Sequence, residues 1–188
     1  MRARIRSWLT PATATGGLLL VVLGAIGAAV FVGGFNLFAD HTNSLEFCIS
    51  CHTMERGPYA EYKKTIHYEN RTGVRAICSD CHVPRAFGPK LVSKIRAVKD
   101  VYHELAGTID TPEKFEARRH IMASRVWDFM EQNQSAGCRN CHDYAAMKLD
   151  EQGRRAKLKH PVAIAEGKSC ISCHKGIVHE LPREAGAK

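Results

Sequence analysis

Apolar residues are spread unevenly along this chain, and three stretches carry a readable pattern. From Gly16 to Phe38, 23 residues run without a charge and are dominated by Leu, Val, Ala, Gly and Phe. At about 1.5 Å per helical residue such a run spans about 34 Å, enough to cross the hydrocarbon of a bilayer. A cleaved signal peptide is the alternative, but its apolar core is shorter and ends in an A-x-A-like site. Here the run ends in Asn36-Leu37-Phe38-Ala39-Asp40, a poor cleavage site, so an uncleaved single-pass anchor over 16–38 is expected. Arg2, Arg4 and Arg6 precede it, and the positive-inside bias then puts 1–15 in the cytoplasm and 39–188 in a bacterial periplasm.

The second pattern begins at Pro89, which suits the first turn of a helix, and brings Leu91, Val92, Ile95, Val98, Tyr102 and Leu105 to one face before Gly107. That face is expected to meet a core or a cofactor. A third element follows Thr111-Pro112, with threonine as cap and proline at the first helical position. It carries Phe115, Met122, Val126 and Phe129 and is expected to stop near Gly137. No strand pattern is present elsewhere.

Cysteine spacing changes the picture. All eight cysteines fall in four C-x-x-C pairs, Cys48/Cys51, Cys78/Cys81, Cys138/Cys141 and Cys170/Cys173, and a histidine follows each pair at once: His52, His82, His142 and His174. Disulfides or zinc ribbons would explain the pairs but not the four histidines. C-x-x-C-H is the attachment signature of c-type haem, with two thioethers at the porphyrin edge and the next imidazole in reach of the iron. Four covalently attached haem c groups are therefore expected. The first cysteines of the motifs are spaced 30 apart (48 to 78) and 32 apart (138 to 170), and the outer motifs share the string CISCH. The soluble part thus reads as two di-haem halves, about 42–88 and 135–182, joined by helices. The fold class expected is mainly α: one transmembrane helix plus a small multihaem cytochrome c domain, in which porphyrins supply much of the buried apolar area.

Composition adds a formal charge of +8. Four haems bring two propionates each, and basic residues that balance them, with a few near lipid head groups, account for the excess without a nucleic-acid partner. In the anchor, Ala25, Ala29 and Gly33 permit close helix packing, so a homo-oligomer is possible on sequence grounds.

Ten histidines are available, and four belong to the motifs. His67 lies 11 residues before Cys78 and His160 lies 10 before Cys170, matching positions that suit distal iron ligands. His179 sits five residues after His174, too close to pass around the same porphyrin, so it is expected to serve a neighbouring haem; its counterpart in the first half is Phe87. His41, His103 and His120 are expected to be ordinary. Three bis-histidine haems and one exception result, and the exception falls on the first motif, Phe47-Cys-Ile-Ser-Cys-His-Thr-Met54. There either His52 or Met54 is the axial ligand; spacing alone does not decide.

At these residues the chain resembles the NapC/NirT family of membrane-anchored tetrahaem cytochromes, which includes the donor subunit of cytochrome c nitrite reductase. The resemblance runs from the anchor to Pro182, in the strings FCISCHTM, YKKTIHYENRTGVRAICSDCHVP, GPKLVSKIRAVKDVY, GTIDTPEKFEA, CRNCH and CISCHKGIVH. They are most similar to the branch that feeds periplasmic nitrate reductase. The resemblance implies a quinol dehydrogenase that takes electrons from membrane menaquinol or ubiquinol and passes them to a periplasmic reductase. It implies Met54 on the first iron, Asp100 close to that iron's other face, and Lys94 in quinol binding. Chemically, Asp100 can take a proton and Lys94 can stabilise a developing quinolate, although each on its own also reads as a solvated helix charge. An anchored relay that docks a nitrite or other reductase without a quinol site is the alternative, and direct redox catalysis at an open haem is a third reading.

Overall fold

In the computed structural model, residues 14–183 are described, and among them the chain is helical with no strand. Arg2, Arg4 and Arg6 lie outside the described residues. The chain divides into two compact units at the step from Thr42 to Asn43.

The first unit is built on helix α1, Ala14–Asn43, whose 30 residues measure about 45 Å. It is long and apolar enough to cross a membrane, and most of its apolar side chains are exposed within the protein itself, Ala39 near its end being buried. Asn36, the one amide in the apolar run, donates to the Val32 carbonyl at 2.8 Å, so its polar group is satisfied within the helix. The helix runs past the expected end at Phe38 because Asp40 to Asn43 contain no glycine or proline; Thr42 Oγ1 donates back to the Phe38 carbonyl at 2.8 Å. Termination comes at Ser44, which is extended and caps the short helix α2, Leu45–Cys48, by accepting from the Phe47 amide at 3.1 Å.

In the second unit a run of helical turns, α3 (His52–Met54), a π-turn (Glu55–Tyr59) and α4 (Ala60–Tyr62), comes after the first motif. Pro58 inside the π-turn has no amide to donate, which suits a widened turn. Helix α5, Cys78–His82, is the second motif itself.

Two long helices come next. Helix α6, Phe87–Leu105, starts two residues before Pro89, and the chain turns at Gly107 with φ 66°. Helix α7, Pro112–Gln132, is capped as expected by Thr111, whose hydroxyl accepts from the Lys114 amide. It stops at Gln132 and not near Gly137. Gln134 and Ser135 take left-handed conformations, φ 56° and 52°, that no helix continues through, and Gly137 lies inside the next helix, α8 (Ala136–Arg139). Helix α9, Arg154–Ala165, and a 3-10 turn at Cys170–Ser172 complete the domain.

The apolar core is small. In the second unit Tyr62, Ile109, Phe115, Met130 and Ile171 are the buried apolar side chains among the described residues. The expected face of α6 is not part of it: Ile95, Val98, Tyr102 and Leu105 are all exposed to the rest of the chain. Side chains alone therefore bury little area for a unit of this length, and the long-range ties are largely polar. Thr53 Oγ1 donates to the Ile109 carbonyl at 3.0 Å, and Ser135 Oγ accepts from the Ile171 amide at 3.1 Å.

Candidate functional site

The four motifs do not share one backbone. Cys78–His82 is a helical turn. In the third and fourth motifs the histidine amide closes the same kind of turn on the first cysteine, His142 to Cys138 and His174 to Cys170, both at 2.9 Å. In the first motif Cys51 is extended, with φ −86° and ψ 128°, and His52 opens a new helix instead of ending a turn. Its ring is largely exposed, lies 3.9 Å from Glu55, and lines a cavity of about 240 Å³ shared with Glu61, Phe115 and Arg119. Met54 ends that helix and is half-buried.

Each of the other three motif histidines faces a second imidazole. Ring centroids are 6.2 Å apart for His82 and His179, 6.3 Å for His142 and His67, and 5.9 Å for His174 and His160. Two imidazoles on opposite sides of one metal, with bonds of about 2.0 Å, place their centroids about 6.3 Å apart. Among the described residues no imidazole pairs with His52 in this way. His67 and His160, matched by position in the two halves, do not play matched parts: His160 meets the motif of its own half, and His67 reaches across to the third motif. His103 is engaged elsewhere, its Nδ1 bonded to Thr108 Oγ1 at 2.8 Å.

Each distal histidine is positioned by its own device. His67 stands at the neck of the loop 67–76, closed by the Ala76 amide donating to the His67 carbonyl at 3.2 Å and by the buried Tyr62, whose hydroxyl donates to the Ala76 carbonyl. His160 projects from α9 with Nδ1 bonded to Gln152 Oε1 at 2.6 Å, which leaves Nε2 as the nitrogen available to a metal. His179 lies beyond Gly176, whose φ of 80° and close contact with Leu181 turn the C-terminal segment back. The Nδ1 atoms of His67 and His179 are buried and accept or donate no hydrogen bond.

The cysteines lie in order. Cys48 and Cys78 are within hydrogen-bonding reach, Cys81 neighbours Cys138, and Cys138 neighbours Cys170. The close step between the second and third motifs depends on Gly137: a Cβ there would stand 2.7 Å from the Cys81 carbonyl oxygen. The eight cysteines form no disulfide with one another, and they are not equally placed. Cys48, Cys51, Cys78, Cys81, Cys138 and Cys170 are half-buried, whereas Cys141 and Cys173 are exposed. Among the described residues nothing in the chain closes over Cys141 or Cys173. The reason is local. Each ends its turn, with an exposed histidine directly after it, while the first cysteine of the same motif is drawn inward, Cys138 beside Cys81 and Cys170 beside the Tyr144 hydroxyl at 3.4 Å. An open thiol remains able to form a thioether at a porphyrin edge, and the porphyrin would then cover it.

Of the two residues expected at a quinol site, Lys94 lies beside the first motif. Partial burial holds its ammonium below the usual range, opposed by Cys48 and reinforced by Lys90. Partial burial raises the Asp100 carboxyl, against the pull of His103, Lys99 and Arg125. Six residues along α6 separate the two by about 120° around the helix axis. Among the described residues no hydrogen bond or ion pair joins Asp100 to Lys94, His52 or Met54.

These features fit haem c. Three imidazole pairs stand at the separation of an axial pair, each has a free thiol directly before one of its members, and the core is short of apolar area that porphyrin faces supply. Among the described residues no three of His, Cys, Asp and Glu converge as ligands, whereas a porphyrin needs only two axial groups from the chain. Comparison with known sequences agrees: residues 10–184 match the NapC/NirT cytochrome c family, N-terminal region.

The chain belongs to the NapC/NirT cytochrome c family.

Among its relatives, a protein described as a putative tetraheme cytochrome-c type from Allochromatium vinosum is 54% identical over 89% of this chain and 90% of its own length. The cytochrome c-type protein NapC of Escherichia coli K12 is 48% identical over 93% of this chain and 87% of its own length. The denitrification system component NirT of Stutzerimonas stutzeri is 51% identical over 89% and 82%. No solved structure matches the chain. As a family member the protein is an electron-transfer cytochrome with haem c, and α1 is its single-pass membrane anchor.

Several residues that build the site carry no motif. Glu61, Arg119 and Ser135 act through pairings distant in sequence, Gln152 pairs with His160 eight residues on, and only Gly137, a glycine directly before a motif cysteine, leaves a recognisable local signal.

Proposed function

We propose that this membrane-anchored tetrahaem cytochrome oxidises membrane quinol beside the first motif and delivers the electrons to a periplasmic reductase, nitrate reductase first among them. The observation that carries this reading is the ordered adjacency of the motifs, first to second, second to third, third to fourth, with the first distinct from the rest. In this reading His82 and His179, His142 and His67, and His174 and His160 hold three irons, and Met54 holds the first. Turning His52 towards Glu55 and the cavity favours Met54 there. Four haem c groups, bound through the eight cysteines, supply one-electron carriers.

The chain's own residues handle position and protons. A quinol releases two protons with its two electrons. Lys94, beside Cys48 and with its ammonium already destabilised, stabilises a hydroxyl as it loses its proton. Asp100, raised above the usual carboxyl range, is a proton acceptor closer in affinity to a quinol hydroxyl than an ordinary aspartate. Four residues separate Asn43, at the end of α1, from Cys48, so the first motif is the one nearest the anchor in sequence. The basic segment 1–15 lies in the cytoplasm by the positive-inside bias, which puts residues 39–188 in the periplasm.

The relay reading has one observation in its favour: among the described residues, no hydrogen bond or ion pair joins Asp100 to the first motif. Reduction of the purified, detergent-solubilised protein by a menaquinol analogue decides between the two. Rapid, inhibitor-sensitive reduction of much of the haem that dithionite reduces is expected. Full reduction by dithionite with none by quinol, at a favourable potential, would leave the relay.

A further inference from the structure

Glu61 on α4, Arg119 on α7 and Glu180 in the C-terminal segment meet at a point that the electron path does not require. The Arg119 guanidinium donates to Glu61 through Nη1 at 3.1 Å and Nη2 at 2.5 Å, and to Glu116 through Nε at 2.9 Å and Nη2 at 2.6 Å. Glu61 Oε2 also accepts from the Glu180 amide at 2.9 Å, while Arg119 Nη1 donates to the Glu180 carbonyl at 3.3 Å. The pair therefore grips both backbone groups of the residue next to His179. Both side chains are only 10% exposed, whereas Glu116 is 51% exposed. His179 Nδ1 stands 3.8 Å from Glu61 Oε2 and makes no hydrogen bond.

A buried ion pair stabilises a fold weakly, because desolvation offsets most of its attraction. Its field inside the protein is another matter, since little water screens it. The Glu61 carboxylate, with Oε2 3.8 Å from Nδ1, acts on the His179 ring more strongly than the Arg119 guanidinium that opposes it. Negative charge behind an axial imidazole makes it a better donor and favours the oxidised iron, which lowers the potential.

We propose that the Glu61–Arg119 pair is a positioning and tuning device: it clips His179 in place from the far end of the chain and sets the redox potential of the haem attached at Cys78 and Cys81. The inference rests on the reading of His179 and His82 as an axial pair. Its signature is sign. Removing Glu61's charge raises that potential and removing Arg119's lowers it, whereas loosening of the C-terminal segment would move both variants the same way.

The experiment is a potentiometric titration of the full-length holoprotein in detergent, followed by visible and electron paramagnetic resonance spectra. In Glu61→Gln one of the four potentials shifts upward with the number of low-spin haems unchanged, and Glu61→Asp returns it towards the parent value. In Arg119→Gln the same potential shifts downward. If that variant does not fold, Arg119→Lys replaces it: the charge is kept and the potential stays near the parent value, whereas a shift equal to that of Glu61→Gln, as loosening alone would give, would overturn the tuning role. Equal-sign shifts in Glu61→Gln and Arg119→Gln, or no shift in Glu61→Gln, would overturn the tuning role. His179→Ala separates the two layers: loss of one low-spin haem supports the axial pair, and an unchanged spin count would overturn that pair and the inference with it.

Discussion

The first and fourth motifs carry the same five residues, Cys-Ile-Ser-Cys-His, on two different backbones. In the fourth, the His174 amide closes a turn on Cys170, Ser135 holds Ile171, and His174 faces His160. In the first, Cys51 is extended, and His52 starts a helix anchored by Thr53 on the Ile109 carbonyl. The residues after each motif make the difference. Lys175-Gly176 breaks the chain after the fourth, whereas Thr53-Met54-Glu55 continues as helix after the first. The second cysteine shares in the contrast, half-buried as Cys51 and exposed as Cys173. The motif thus repeats in sequence while its backbone follows the surroundings, and in the proposed function the first serves as entry point and the fourth as relay.

The largest expected effect separates the two histidines. His174→Ala removes one low-spin haem from the resonance spectrum, and His52→Ala leaves the low-spin count unchanged while Met54→Ala alters the spectrum of one haem. Parallel losses in His174→Ala and His52→Ala would make the two motifs equivalent and end the comparison.

Next in size are the residues beside the first motif. Lys94→Ala and Asp100→Asn slow quinol oxidation by about 10-fold to 100-fold, with haem content intact, if they act in proton transfer. A carboxyl accepts a proton only once ionised. The rate of the parent protein therefore rises with pH through the raised Asp100 value, and Asp100→Asn flattens that rise. An unchanged pH profile in Asp100→Asn would remove this residue from the proton path.

A smaller effect is expected between the second and third motifs. Gly137→Ala puts a Cβ against the Cys81 carbonyl and costs about 1–3 kcal/mol in chemical unfolding of the holoprotein. It also slows electron passage from the second haem to the third, seen as biphasic reduction. Wild-type stability and single-phase reduction would mean the two motifs do not depend on close approach.

Smallest are the two hydroxyls that hold the contrasting backbones. Thr53→Val and Ser135→Ala each cost about 1 kcal/mol by loss of one hydrogen bond. They differ in site: the first perturbs only the first haem's spectrum and the second only the fourth's.

Much of this is legible in the sequence. Haem attachment, the anchor and the cap of α7 at Thr111-Pro112 are local patterns, and local patterns survive folding. The short step from His174 points His179 away from its own motif, and the structure sets its ring 6.2 Å from that of His82. Pairings across the chain are not legible. His67 meets His142 because Gly137 and Ser135 draw the second, third and fourth motifs together, and no spacing rule encodes that. Nor does the repeat of C-x-x-C show that Cys141 and Cys173 stand exposed while their partners turn inward, since exposure depends on what packs over each turn. At the end of α7 a glycine signals a stop, while two non-glycine residues in left-handed conformations make it. The face of α6 reads as meeting a core or a cofactor, and periodicity alone does not choose between them, because it reports amphipathicity and not what the apolar side meets.

The most direct test of the difference between the first motif and the rest is a spin-state count on the oxidised holoprotein, alone and as His52→Ala. Three low-spin haems with paired imidazoles and one of another kind are predicted in both proteins. Four equivalent bis-histidine haems, with one lost on removing His52, would contradict that difference.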